Sequence, residues 1–431
     1  MNVLVLGGYG LIGSAVTRDL LAGGHSVIGV GRNPTVGKNK FPSAIWQAAN
    51  LQDMVDEASW LPFLDGIDAV VNCSGALQDQ ANVSLEALQV KAIMSLVDAM
   101  ISTNVAKFVQ ISALGATPNA TTRFLRTKAK ADAYVANSDL DWTIIRPGLV
   151  LSTDTFGGST ILRIAAAMPV FDVRIFPESK VQTVHVDDVA EVVAQSLVDD
   201  SLTRKCFDLV EENSISLSDL TLNLRQKIGN RPPKISFTLP RFIKNSIGVV
   251  GDLISNLGWQ TGIRSTAFKV LENGVTGDAS VFTGITGKRL KDAPQNVAEM
   301  GLGAQDLLFG RIQLVAVPAI FLFGAFWVFS GAIGVWNLDA AVAKISHRFN
   351  EDVSYVFVIC GSLLDLLIGL AIWFRKTHVF ALLASLVLSS GYLAAGTFFT
   401  PELWMDPLGP LVKIIPVMLT AMFLLAARPA R

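Results

Sequence analysis

Short apolar runs of strand length alternate with helical periodicity through the first two hundred residues. NVLVL is followed by GGYGLIG and then by SAVTRDLLAGG, whose apolar positions recur at helical spacing until a glycine stops them. The order is strand, glycine-rich turn, and a helix that starts near Leu11. HSVIGVGRNP predicts a second strand, AIWQAANLQD a third, IDAVVNCSGA a fourth, VAKFVQISALG a fifth and DWTIIRPGLV a sixth, each leading into a helix or loop. Such alternation predicts an α/β domain with a doubly wound parallel sheet over residues 1–204. From Lys205 the order changes: KCFDLV predicts a strand, SISLSDLTLNLRQKIG a capped helix, and RPPKISFTLPRFI a strand and turn. Residues 205–305 are read as a smaller α/β lobe and linker. RFIKNSIGVVGDLISNLGW is amphipathic, with Ile243, Ile247, Val250, Leu253 and Ile254 near one face. It either lies on a bilayer surface or covers the core of the lobe, and its sparse basic charge favours the core.

After Arg311 the pattern becomes continuously apolar. Ile312–Trp336 is an uncharged run of 25 residues, about 37 Å long as a helix against a hydrocarbon thickness of about 30 Å. Runs at 353–374, 379–399 and 408–427 follow, so residues 306–431 are expected to form a transmembrane four-helix bundle. The last run contains Pro410, Lys413 and Pro416. Basic residues sort by loop: Lys288, Arg289, Lys291 and Arg311 precede the first run, Arg375 and Lys376 separate the second and third, and Arg428 and Arg431 follow the fourth. Lys344 and Arg348 occupy one opposite loop and the acidic TPELWMDPLG the other. This distribution, with an even number of spans, predicts that the α/β domain and both termini are cytoplasmic. Asp365 falls in the middle of the second run, where a charge costs about 2.5–3.5 kcal/mol, so it must face the bundle, be protonated or have a partner. It belongs either to a proton or quinone site or to a neutral structural contact between helices.

Composition narrows the field. Basic and acidic residues number 35 and 36, and the net charge of −1 gives no field that would draw nucleic acid. Cys73, Cys206 and Cys360 lie far apart and match no zinc or disulfide spacing, so no metal is expected. The opening MNVLVLGGYG lacks a basic start and reads as a strand, not as a signal peptide.

Gly7, Gly10 and Gly13 have the spacing GxxGxxG between a strand and a helix, which lets the backbone approach a pyrophosphate while the helix N-terminus offers its N–H groups. Arg32 ends the second strand, where a guanidinium would meet the 2′-phosphate of NADP; NAD remains a second possibility, and a solvated strand-end arginine is the alternative to both. The turns Asn72–Gly75 and Ser112–Gly115 lie at the carboxyl edge of the sheet, where ligands bind in this class of fold. His185 with Asp187 and Asp188 has the spacing of a metal pair, of an acid/base pair, or of a strand end followed by an Asp helix N-cap; the cap is the preferred reading.

GGYGLIG, the RNP after strand two, NCSG, QISALGA, the TKAKAD helix, IIRPG and TVHVDDVAEVV resemble, in order and spacing over about residues 1–305, an atypical short-chain dehydrogenase/reductase with a Rossmann fold. The branch is the one containing the NAD(P)-binding 39 kDa subunit of respiratory complex I. The resemblance implies cofactor contacts from Tyr9, Leu11 and Ile12 as well as the three glycines, from Cys73 and Ser74, from Ser112 and Lys128, and from Pro147. Active members of this superfamily use a YxxxK pair: the Tyr moves a proton at the substrate oxygen, and the Lys lowers its pKa and holds the nicotinamide ribose. A Ser at the end of strand five completes the set. Lys128 and Ser112 occupy two of these positions, but the third is Phe124. Phenylalanine neither titrates nor donates, so general acid/base assistance of about 10²–10⁴ cannot come from there. Tyr134, six residues beyond Lys128, falls on the wrong helical face. Lys128 remains either a ribose ligand or a solvated lysine of the RTKAK run.

Residues 310–430 resemble the DoxX-like family of small bacterial membrane proteins. Together the resemblances imply an NAD(P)-binding domain fused to a membrane domain in a bacterial inner membrane. Two functions follow. One is an oxidoreductase acting on a lipophilic quinone, isoprenoid or lipid; the other is a non-catalytic cofactor-binding module that assembles or senses within a membrane complex.

Overall fold

Asn2–Leu6 (β1) is buried on both sides, with Val3 and Val5 in one apolar cluster and Leu4 and Leu6 in another. A strand covered on both faces is what a near-continuous apolar run requires in a parallel sheet. The computed structural model describes residues 1–79, 83–154, 158–259 and 264–428, so Arg431 lies outside the described residues. Contacts divide the chain into two units, Met1–Asp252 with Thr261–Leu307, and Leu253–Gln260 with Leu308–Arg431.

In the first unit, β1 leads to α1 (Leu11–Ala22), β2 (Ser26–Gly31), α2 (Pro34–Lys40), β3 (Ile45–Ala48), α3 (Leu61–Leu64) and β4 (Ala69–Asn72). There follow α4 (Ala92–Ser102), β5 (Lys107–Ile111), α5 (Arg123–Ala136), β6 (Asp141–Pro147) and β7 (Leu149–Leu151). Next come α6 (Gly158–Ala167), β8 (Phe171–Arg174), β9 (Lys180–Val181), β10 (Thr183–His185), α7 (Val186–Val198) and β11 (Lys205–Leu209). The main sheet has seven parallel strands in the order β11-β6-β5-β4-β1-β2-β3. One face packs on α1 and α7 through Val16, Leu20, Val189 and Val193, the other on α4 and α5 through Leu96, Met100 and Val135. The sheet grows in both directions from β1, which puts the crevice between β2 and β4 at the carboxyl end of β1.

Lys205–Leu209, read from the pattern as the start of the smaller lobe, is instead the edge strand of the main sheet. It pairs in parallel with β6 because Phe207 and Leu209 complete one core cluster while Cys206 packs against the other.

The lobe adds β12 (Ile215–Ser216), α8 (Leu217–Lys227), β13 (Ile235–Thr238), α9 (Arg241–Asn256), α10 (Ser265–Glu272), α11 (Ser280–Thr286) and α12 (Ala293–Glu299). Its strand pairs, β7 with β10, β8 with β13 and β9 with β12, are short. Its core is Leu162, Phe176, Leu220, Leu224, Phe268 and Val297. The Ser216 side chain caps α8 at the Asp219 amide, 3.0 Å away.

The apolar region forms α13 (Ala304–Trp336), α14 (Leu338–Ile345), α15 (Glu351–Trp373), α16 (His378–Phe399) and α17 (Ile414–Ala426). Three of these, α13, α15 and α16, are long and apolar enough to cross a membrane. The fourth expected span is only 13 helical residues, about 20 Å, short of the hydrocarbon thickness. The cause is local: Gly409 takes a left-handed φ of 55°, and the Pro410 segment stays in turns up to Lys413. With three helices of full length, the even-span argument for both termini on one side loses its support. Leu322, Phe329, Phe380 and Val387 are exposed on these helices, as a lipid solvent allows. Asp365 is buried where α13, α15 and α16 meet: the Ser330 and Tyr392 hydroxyls donate to its two oxygens at 2.7 and 2.9 Å.

Candidate functional site

The glycine turn closes on itself. Gly7 has φ 71°, which only glycine adopts without strain, and the Gly10 amide donates to Gly7 O at 2.8 Å. Gly13 lies against that carbonyl: a Cβ there would stand 2.2 Å from Gly7 O. The first turn of α1, with Leu11 and Ile12 half-buried, therefore starts directly behind the loop, and its unpaired N–H groups face the end of β1. Tyr9 joins this loop to β2; its ring covers Gly31, stands 5.7 Å from the Trp46 ring, and its hydroxyl accepts from the Asn33 amide at 3.1 Å. Arg32 sits between these contacts and is exposed.

Across the crevice, the turn after β4 approaches so closely that a Cβ on Gly7 would be 3.1 Å from Ser74 Cα. Asn72 holds it, accepting from the Ser74 amide at 3.0 Å and donating to Gln110 at 2.8 Å. Burial pushes the Cys73 thiol up to about 12, against the opposing charge of Lys128, and so favours the protonated form.

Lys128 is buried rather than solvated. Its ammonium donates to Ile111 O at 2.8 Å and to Ser74 O at 3.4 Å, beside the turns after β5 and β4. Burial lowers its pKa, opposed by the nearby Asp132 and Cys73. Ser112, also buried, donates its hydroxyl proton to Asp132 at 2.7 Å. Arg146 donates to the same carboxylate oxygen at 3.1 and 3.3 Å. Burial raises the Asp132 carboxyl, and the Ser112 bond and the Arg146 charge oppose that rise. Asp132 and Arg146 were not singled out from the sequence, though Asp132 is one helical turn beyond Lys128 and Arg146 lies within IIRPG. Tyr134 points elsewhere, its hydroxyl donating to Asp98 at 2.6 Å.

Phe124, one turn before Lys128 on α5, lines a cavity of about 310 Å³ together with Ser112 and Pro147. Leu77, Leu114 and Leu125 add to the same side, and the opposite wall comes from the lobe, including Leu149, Ile161, Phe176, Leu217, Phe268 and Leu271. Among the described residues, its polar side chains are Ser112, Asp172, Arg174, Ser218 and Thr221, and Arg174 is already bonded to Asp172 at 2.7 Å. The sequence marked the cofactor positions of this wall but not its apolar half, which is assembled from five separate segments.

The His185 group is structural, and the cap differs from the one expected. His185 itself is the N-cap of α7, its ring nitrogen accepting from the Asp187 amide at 3.3 Å, while Asp187 and Asp188 fill the first turn and Asp187 pairs with Arg18. A histidine in β conformation does this as an Asp would, because its Nδ1 is an acceptor in the same place.

A parallel sheet with a glycine turn at its switch point, a buried lysine opposite and a lobe closing an apolar cavity defines a dinucleotide-binding protein of Rossmann type. Residues 7–200 match the NAD(P)H-binding family, and residues 324–422 match the DoxX-like family. The 40 kDa subunit of mitochondrial NADH-ubiquinone oxidoreductase from Neurospora crassa is 24% identical over 164 residues, 38% of this chain and 43% of that subunit. Photosystem II assembly factor Ycf39 from Synechocystis is 25% identical over 254 residues, 57% of this chain and 74% of the factor. The Escherichia coli NADPH-dependent quinone oxidoreductase QOR2, solved with NADPH, shares the fold at a TM-score of 0.52 and 16% identity, covering 69% of this chain and 98% of that one. The chain thus joins an NAD(P)-binding Rossmann domain, homologous to the complex I subunit and to Ycf39, to a DoxX-like domain with membrane-spanning helices.

Proposed function

We propose that the chain is a membrane-anchored, NADP(H)-preferring oxidoreductase that acts on a lipophilic substrate of quinone, isoprenoid or lipid class. The observation that carries this reading is the apolar cavity sharing Ser112, Phe124 and Pro147 with the cofactor side. In this reading the Gly7–Gly13 loop and the first turn of α1 hold the pyrophosphate, Arg32 the 2′-phosphate, and Lys128 the nicotinamide ribose. The dinucleotide supplies hydride when bound. Phe124 contributes shape and keeps water out, and the hydroxyl proton of Ser112 is committed to Asp132. A pocket with phenylalanine in place of the tyrosine acid at position 124 suits an acceptor that draws its protons from solvent, as a quinone does, better than it suits a ketone. The Neurospora relative, matched over 43% of its length, is a subunit of NADH-ubiquinone oxidoreductase. The nucleotide domain is assigned to the cytoplasmic side of a bacterial inner membrane, on the support of the basic residues before α13 and of Arg375 and Lys376 between α15 and α16.

The test is turnover of NADPH by the full chain in detergent, followed at the nicotinamide absorbance with short-chain quinones and prenyl compounds. Quinone-dependent oxidation is expected. Tight NADPH binding with no turnover by any acceptor would select the second reading, a non-catalytic module of a membrane complex, which Phe124 and the homology to an assembly factor favour. Arg32→Ala is expected to weaken NADPH by about 1.5–3 kcal/mol, roughly 10- to 150-fold, and to leave NADH unchanged. Equal losses for both, measured by titration calorimetry, would remove the 2′-phosphate assignment.

A further inference from the structure

Helix α9 is amphipathic in the inverted sense. The residues it turns most closely toward its own unit, Lys244, Gly248 and Asp252, are small or polar, with Ile247 beside them. Gly248 packs so tightly that a Cβ there would be 3.3 Å from Ser265 Cα. Lys244 donates to Ile175 O at 3.0 Å and lies 4.6 Å over the Phe176 ring, and Asp252 accepts from Gln78 at 2.9 Å. Only Ile247, of the apolar residues expected to cover the lobe, packs against its core. The bulky residues point outward: Phe242 is 71% exposed, Val249 54% and Leu253 60%, at positions i, i+7 and i+11 of one helical face, with Val250 beside them at 51%. A water-facing helix has the opposite arrangement. The strand before α9 continues the theme, since Ile235 and Phe237 are exposed at 51% and 41%.

What lies against this face is indicated by where the helix goes. Its last turn and the residues after it belong to the second unit, where they are fastened to the end of one spanning helix and the start of the next. The Arg375 amide donates to Leu257 O at 3.1 Å, the Trp259 indole donates to Trp373 O at 2.7 Å, and the Trp259 ring stands edge-on to His378 at 4.8 Å. Trp373 ends α15 and His378 begins α16, so this junction marks the level at which the chain leaves the hydrocarbon, and tryptophan is the residue enriched at that level. Of the polar residues, Lys244 and Asp252 turn inward, while Asn245, Ser246 and Asn256 are exposed among the bulky apolar side chains, with the Ser246 hydroxyl donating to Phe242 O at 3.0 Å. A helix whose end is tied at the bilayer boundary, with bulky apolar side chains unpaired on its outer face, has its solvent in the headgroup and upper acyl region.

We propose that α9 is an interfacial helix, with Phe242, Val249, Val250 and Leu253 inserted into the lipid surface. The test uses the unaltered full chain in phosphatidylcholine–phosphatidylglycerol vesicles doped with a diazirine-tailed phosphatidylcholine, with the labelled residues located by mass spectrometry after irradiation. Residues 242–253 are expected to carry at least five times the label of the exposed segment around Asp200, with α16 labelled as the internal standard. Labelled α16 with α9 at the Asp200 level overturns the proposal. So does a chain carrying p-benzoylphenylalanine in place of Phe242 that crosslinks to a second copy and not to lipid, which would make the face a contact between copies.

Discussion

Phe124→Tyr is expected to accelerate NADPH-dependent reduction of a small apolar ketone or aldehyde by about 10²–10⁴, the usual contribution of a positioned acid. Positions 124 and 128 share a face of α5 one turn apart, and residue 124 already lines the cavity that Ser112 and Pro147 also line. The phenol would add an oxygen at the end of a ring that is in place, with the buried Lys128 cation one turn below to favour the phenolate. The gain should be seen with carbonyl substrates and be small with quinones, whose reduced form takes protons from water. Single-turnover decay of the nicotinamide absorbance measures it. An unaltered rate in a variant that still binds NADPH would mean that Lys128 and residue 124 do not form a proton-transfer pair, and the reading of Phe124 as a missing acid would fall.

Gly13→Val should abolish dinucleotide binding, with an affinity loss of at least about 100-fold, because the new side chain collides with backbone that cannot step aside. Its Cβ would be 2.2 Å from Gly7 O and 2.9 Å from Gly8 Cα, and Gly7 is itself held by its amide bond to Val30 O at 3.0 Å. Relieving the clash moves either the loop or the start of α1, and both are surfaces the pyrophosphate needs. Overpacking of this kind also costs about 1–3 kcal/mol of stability, so the melting temperature should fall by several degrees. Gly284→Ala, where a Cβ meets nothing within 4 Å, is the control and should leave affinity unchanged. Calorimetric titration with NADPH checks both, and a Gly13→Val protein that bound the coenzyme normally would place the nucleotide somewhere other than the first turn.

The site was legible to the extent that its residues are neighbours in sequence. Gly7, Gly10 and Gly13 mark a tight turn between a strand and a helix, and the resemblance, with its YxxxK pair, marks Phe124 before Lys128 as the place of a missing hydroxyl. The Asp132–Arg146 pair beneath Ser112 was not legible, since Asp132 and Arg146 meet only through the packing of α5 on the end of β6. The His185 cap was only partly so: a capped helix start was expected here, but the capping residue is His185 and not an aspartate, because His185 takes the extended backbone and both aspartates fall inside the first turn.

Local chemistry, read from the chain alone, determined the alternation that builds the parallel sheet, the glycine cradle, the absence of a proton donor at position 124 and the onset of the apolar helices. These are governed by period, spacing and side-chain identity, which a linear string contains in full. Tertiary structure decided the rest: that Lys205–Leu209 closes the main sheet, that the last apolar run is too short a helix to match α13, α15 and α16, that segments distant in sequence enclose an apolar cavity, and that α9 turns Phe242, Val249, Val250 and Leu253 outward. Each depends on which surface is left over once the other elements have packed, and burial is a property of the assembled neighbours, not of the residue that is buried.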